Sequence, residues 1–232
     1  MKGCNRDMKN SVRTRQDAVR SKVLHVAARL FLEKGYTNTS LREISAAAGV
    51  AYGSMTFAFG TKEGILSELV EFVLDGQFEA AERLVKGRTE DKILFYAVET
   101  TLQLYMAESS DHIRELYTCS YSQEASSKKI YNKITLKLSE IFKETYPQFQ
   151  MVDFFEKELA SAGVMRNYMT RPCDLFFPME RKVRAFLENT FLIYEVPREK
   201  IEEAVDFVSG YDFESIASEV ISNMLAYLES RT

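Results

Sequence analysis

Tryptophan is absent from the 232 residues, proline occurs four times, glycine ten, cysteine three and histidine twice. Each scarcity excludes something. Cys4, Cys119 and Cys173 are too few and too scattered for a disulfide framework or a zinc site, so a reducing, cytoplasmic setting is expected. His25 and His112 stand alone, and there is no Ser/His/Asp set, HExxH, P-loop or GxGxxG. Catalysis, a cofactor and a metal are therefore not expected. All four prolines (Pro147, Pro172, Pro178, Pro197) fall in the second half, and valine, isoleucine and threonine form no alternating runs. The chain reads as all-α. No apolar run approaches the ~20 residues of a membrane span, so no membrane partner is expected.

What is present is uneven charge. Residues 1–65 hold 11 Lys/Arg against 5 Asp/Glu, a surplus of six, whereas the whole chain carries −4, leaving −10 for residues 66–232. A basic head on an acidic body is the footprint of a small polyanion-binding module attached to something larger. The first dozen residues read as a flexible basic arm.

Helical periodicity is clear near the start. Val19, Val23, Val26, Ala27, Leu30 and Phe31 form one apolar stripe, and Gly35 can end that helix in the left-handed conformation. In "TNTSLREI", Ser40 and Glu43 have the spacing of a capping box that opens a second short helix. Gly49 breaks it, a third helix starts near Tyr52, and Thr61 caps a long fourth helix. Further helices are expected at about 90–107, 126–146, 151–170, 178–195, 198–209 and 213–229.

Residues 40–59 fit a helix-turn-helix. Ala47 and Ala48 are small where the helices approach, Gly49 tolerates positive φ in the turn, and Val50 is the apolar plug after it. Met55 and Phe59, four apart, anchor the second helix of the pair. Tyr52, Gly53, Ser54, Thr56, Phe57 and Ala58 then remain outward, able to reach a groove. None is charged, so thymine-methyl, hydroxyl and shape contacts are expected rather than Arg–guanine pairs.

Residues 14–66, with "AARLFLEKGYTNTSLREIS", "AGV" and "F.TKEGIL" in order and without a gap, resemble the DNA-binding domain of the TetR family of transcriptional regulators. The resemblance covers about a quarter of the chain. It implies a helix-turn-helix domain over 14–64 after the arm of 1–13, and a larger helical effector-binding and dimerisation domain over 65–232. It places Thr39 and Ser40 against phosphate, points Arg42 toward double-stranded DNA, and puts Lys62 on phosphate at the start of the fourth helix. Tyr52, Ser54 and Phe57 would meet bases or the sugar-phosphate wall, and Gly53 would let the backbone come close. Thr56 and Ala58 stand where the family often has tyrosine and histidine, and Gly60 where it has a basic residue or proline. Lys9, Arg13, Arg15 and Arg20 would compensate. The rival reading keeps the fold as a ligand-binding protein with weak or lost DNA binding.

For the body the resemblance implies a homodimer through helices near 178–195 and 213–229, and a pocket for a small apolar or aromatic effector. Its candidate walls are Tyr105, Tyr117, Tyr121, Phe155, Met165 and Tyr168. The expected mechanism is repression from a palindromic operator, with release by the effector.

Overall fold

A computed structural model describes residues 4–232, with side chains from Gln16 onward. Among the described residues there are eleven helices and no strand. The first four are α1 (Cys4–Lys34), α2 (Leu41–Ala47), α3 (Tyr52–Phe59) and α4 (Lys62–Val85). There follow α5 (Lys92–Glu108), α6 (Asp111–Ser122), α7 (Glu124–Phe142), α8 (Met151–Thr170), α9 (Met179–Ile193), α10 (Arg198–Ser209) and α11 (Phe213–Ser230). The basic arm of residues 1–13, and the roles of Lys9, Arg13 and Arg15, fall outside the described side chains.

The stripe on α1 forms as its spacing demands. Val23, Ala27, Leu30 and Phe31 are all buried against α2, α3 and α4. The Gly35 amide closes the last turn onto the Phe31 carbonyl at 2.9 Å, with φ at +84°. A side chain at Gly35 would also collide with the Glu115 carboxylate, so the corner needs glycine twice over. The capping box is complete. The Ser40 amide donates to Glu43 Oε2 at 2.8 Å, and the Glu43 amide donates to Ser40 Oγ at 3.2 Å. These bonds, with Lys34 beside them, hold the Glu43 carboxyl down at about 2.

The turn between α2 and α3 passes through Gly49 at φ +62°. Its tightness comes from Ser45, which the spacing argument overlooked. Ser45 is buried, donates from Oγ to the Val50 carbonyl at 2.6 Å, and accepts the Val50 amide on its own carbonyl at 3.1 Å. Ala47, expected at the helix crossing, is exposed. Met55 and Phe59 anchor α3 as their spacing requires, the former fully buried.

The body is built around α5, which packs against α4, α6, α7, α8, α9, α10 and α11. Helix α6 has no counterpart among the expected helices. It joins the two halves of the chain. The Tyr36 and Thr37 amides donate to the Glu115 carboxylate at 3.0 and 2.9 Å, and His112 Nδ1 lies 2.8 Å from the Leu32 carbonyl. Burial pushes the Glu115 carboxyl up, but the bonds from Thr37 and Tyr36 outweigh it and hold it below the usual range. One continuous apolar cluster runs from Val23 to Leu228.

Helix α11 departs from expectation. Its apolar row of Phe213, Ala217 and Val220, continued by Met224 and Leu228, is spent against α5, α1 and α4 of the same subunit. The row it leaves outward is Ser215, Ser218, Glu219, Ser222 and Asn223, followed by Ala226 and Tyr227.

Candidate nucleic-acid interface and internal cavities

The pinning of α3 decides what it shows to solvent. With Met55 and Phe59 inward, Phe57 is 80% exposed and Tyr52 48%. Gly53 and Ser54 lie on the same exposed side, and a methyl group at Gly53 would meet open space. Thr56 is half-buried and turns its hydroxyl back onto the carbonyls of Tyr52 and Gly53, at 3.1 and 3.2 Å. Arg42 is exposed on α2, and Ser40 is exposed with its hydroxyl proton still available to donate outward.

Two expected phosphate ligands are used otherwise. Thr39 is buried, and its hydroxyl donates to the Gly35 carbonyl at 2.8 Å. The residue closes the α1–α2 corner and cannot reach a duplex. Lys62 bends inward. Its Nζ donates to the Tyr36 and Thr39 carbonyls, both at 2.8 Å, and stands 4.3 Å above the Tyr36 ring. Those carbonyls belong to a corner with no helical partners, so the ammonium replaces a missing cap. Arg20 is spent in the same way. It pairs with Glu68, donates to the Ala58 carbonyl at 2.9 Å and lies 4.9 Å over the Phe59 ring, binding α1, α3 and α4 together.

The body contains an apolar cavity of about 120 Å³ between α1, α4, α5, α6 and α11. Ala28, Phe31 and Leu32 of α1 form one wall, and Ile221, Met224 and Leu225 of α11 the opposite one. Of the expected effector residues, Tyr117 and Tyr121 line it. Tyr121 and Met165 line a second, smaller cavity. Tyr105, Phe155 and Tyr168 line neither. Tyr105 stacks on Phe213, with ring centroids 5.5 Å apart, and Tyr168 packs against Phe177 and Phe186. Phe155 sits half-buried at the border of the outward face of α8.

Polar groups inside the cavities are the residues the sequence reading missed. Gln77, fully buried, donates from Nε2 to the Tyr117 hydroxyl while its Oε1 has no partner. Glu99 and Glu158 line the smaller cavity, each with at most 2% exposure. Burial pushes the Glu99 carboxyl up to about 8. Burial also drives Glu158 well above the usual range; the nearby Glu99 adds to that, and a bond from Ser161 opposes it.

Fold and exposed helix together define a helix-turn-helix protein whose body encloses a ligand-sized cavity. Residues 23–69 match the model of the family described as "Bacterial regulatory proteins, tetR family". The chain is similar to the HTH-type transcriptional repressor KstR2 of Rhodococcus jostii (strain RHA1), 33% identical over 82 residues, covering 35% of this chain and 40% of that protein. The KstR2 of Mycolicibacterium smegmatis is 28% identical over 141 residues, 60% of this chain and 58% of that one. The HTH-type transcriptional regulator AcrR of Shigella flexneri is 43% identical over 61 residues, 25% and 28% of the two chains. The chain thus spans less than two thirds of the length of each of these relatives. No helix among the described residues is long and apolar enough to cross a membrane.

Two measurements test this geometry. Lys62→Ala should lower stability by about 2 kcal/mol in urea unfolding, from lost charged hydrogen bonds and ring contact. It should leave the salt dependence of DNA binding unchanged; a slope reduced by one ion would put Lys62 on phosphate. The second concerns Glu99, whose folded value lies above its unfolded one. Its penalty is absent below about pH 4.5 and complete above about pH 8. Between them stability falls by about 1.4 kcal/mol per pH unit on its account, in the same direction as Glu158. Glu99→Gln should flatten the wild-type curve by that amount, and an unchanged slope would contradict the burial of its charge.

Proposed function

We propose that the protein is a transcriptional repressor that binds a palindromic operator as a homodimer and is released by a small, mainly apolar effector. The observation that carries the reading is the exposure of Phe57 and Tyr52 on α3, with Arg42 exposed on α2, while Met55 and Phe59 lock α3 to the core. An uncharged helix of this kind reads a major groove by apolar contact with thymine methyls and by shape, and the exposed hydroxyls of Tyr52, Ser54 and Ser40 add polar contacts. The names of the relatives, repressors among them, agree with it.

One helix-turn-helix covers little DNA, and two-fold pairing is the usual remedy. The face we assign to pairing lies on α8 and α9. Val152 and Leu159 are exposed on one side of α8, with Phe155 at its border, and Leu192 is exposed on α9. The two helices lie side by side, with Lys157 Nζ donating to the Ile193 carbonyl at 2.7 Å. Helix α9 thus keeps the role the sequence suggested, and α8 takes the place of α11. Release follows from the cavity. Its α1 wall is the back of the helix on which α2 and α3 rest, so an occupant displaces the reading head directly. A coupling of about 1–3 kcal/mol changes operator affinity 5- to 150-fold.

The test uses duplexes selected on the wild-type protein from a random pool. Phe57→Ala should weaken the selected duplex about tenfold and random duplex little. Arg42→Ala should weaken both alike and lower the salt slope by about one. Equal binding of selected and random DNA by the wild type would defeat the proposal and favour a ligand-binding protein that no longer reads sequence.

A further inference from the structure

The two cavities share a wall. Gln103 and Tyr121 belong to the lining of both, and Gln103 Nε2 donates to the Tyr121 hydroxyl at 3.1 Å. On one side is the apolar space of about 120 Å³. On the other is an annex of about 20 Å³, room for a single water-sized group. Both carboxyls of the region, Glu99 on α5 and Glu158 on α8, line that annex, and no Lys, Arg or His lines either cavity. Glu158 accepts from Ser161 Oγ at 3.0 Å, and that hydroxyl also lies 2.7 Å from the Tyr194 hydroxyl. Glu99 Oε1 is buried with no hydrogen-bond partner. The rings of Tyr96, Tyr121 and Phe186 complete the enclosure.

This is a buried pair of carboxyls with no cation beside it. Two carboxyls, one of them with an orphaned oxygen, and aromatic walls match a compact cation with several N–H groups, which can satisfy the oxygens and lie against the rings. An ammonium is about the size of a water molecule, so it fits the annex, whereas a trimethylammonium does not. We propose that the effector is a primary amine on an apolar body. The body fills the larger cavity, and the ammonium parts the Gln103–Tyr121 contact and sits between Glu99 and Glu158. The assignment rests on the effector-cavity reading above and gives that effector its chemical class.

Charge balance supplies a signature. The groups facing Glu99 are Tyr96 of its own helix, Tyr117 and Tyr121 of α6, and Glu158 of α8, with Tyr194 beyond α9 facing Glu158. Burial raises all four tyrosines, so they stay neutral through the physiological range. Glu99 is protonated at pH 7 when the annex is empty. The entering ammonium keeps its proton, one carboxyl loses its own to solvent, and an ion pair forms. Binding of the amine therefore releases one proton and tightens about tenfold per unit as pH rises from 6 toward 8.

The experiment is calorimetric titration of the full chain with 2-phenylethylamine, its N,N,N-trimethyl derivative, 2-phenylethanol and ethylbenzene. Measurements run at pH 6, 7 and 8, in buffers of different ionisation enthalpy. The primary amine should bind at least tenfold tighter than the alcohol at pH 8, and release close to one proton at pH 7. The trimethyl derivative should bind no better than the alcohol. Glu99→Gln and Glu158→Gln, both close in shape to the carboxylic acid, should each erase the amine's advantage and leave ethylbenzene binding intact. If alcohol and amine bind equally in the wild type, or no proton is released, the amine assignment fails while the effector cavity stands. If none of the four binds, the cavity reading fails with it.

Discussion

Helix α1 serves two cores at once, and that shared use is the constraint on which the rest depends. Phe31 packs edge-on against Tyr36 at 5.1 Å beneath the helix-turn-helix, and the same residue lines the cavity of the body. Packed interiors do not deform continuously. Under the proposed release, a change of volume on the body side of α1 becomes a change of position on its other side. Glu115 and His112 of α6 grip the end of the same helix. The helix-turn-helix is thus held from behind by the same helices that enclose the cavity.

The second theme is the economy of cations. The surplus of positive charge over residues 1–65 looks like a phosphate-binding surface, but several of its members work inside the protein. Lys62 caps a loop, Arg20 ties three helices, and Lys34 supports the capping box through Glu43 at 3.2 Å. Arg42 is the exposed basic residue beside α3. The uncharged reading helix and this sparing use of charge both favour recognition by fit over electrostatic grip.

The helix-turn-helix was legible in the sequence because its determinants are local: a capping box from Ser40 to Glu43, a positive-φ glycine, and an i, i+4 pair of anchors. Thr39 and Lys62 misled because burial of a threonine hydroxyl, or the inward bend of a lysine, depends on carbonyls contributed by the α1–α2 corner. Helix α6, "DHIRELYTCSYS", escaped notice because its apolar face is made of tyrosines and scattered aliphatics rather than an aliphatic stripe. With α6 missing, the cavity had no wall on one side, and the resemblance together with residue type assigned Tyr105, Phe155 and Tyr168 to it. The buried carboxyls were invisible for a related reason. Glu99 sits in "AVETTLQL", where nothing local distinguishes a buried acid from a solvated one.

The most direct test of the shared helix needs no ligand. Ala28 lies on the cavity wall of α1, so Ala28→Phe places a ring in the empty space and acts as a tethered occupant. The measurement is its affinity for the selected operator, with the melting temperature recorded alongside. The account predicts a folded protein whose operator affinity falls 5- to 150-fold. A folded variant that fills the cavity and binds the operator as tightly as the wild type would contradict it.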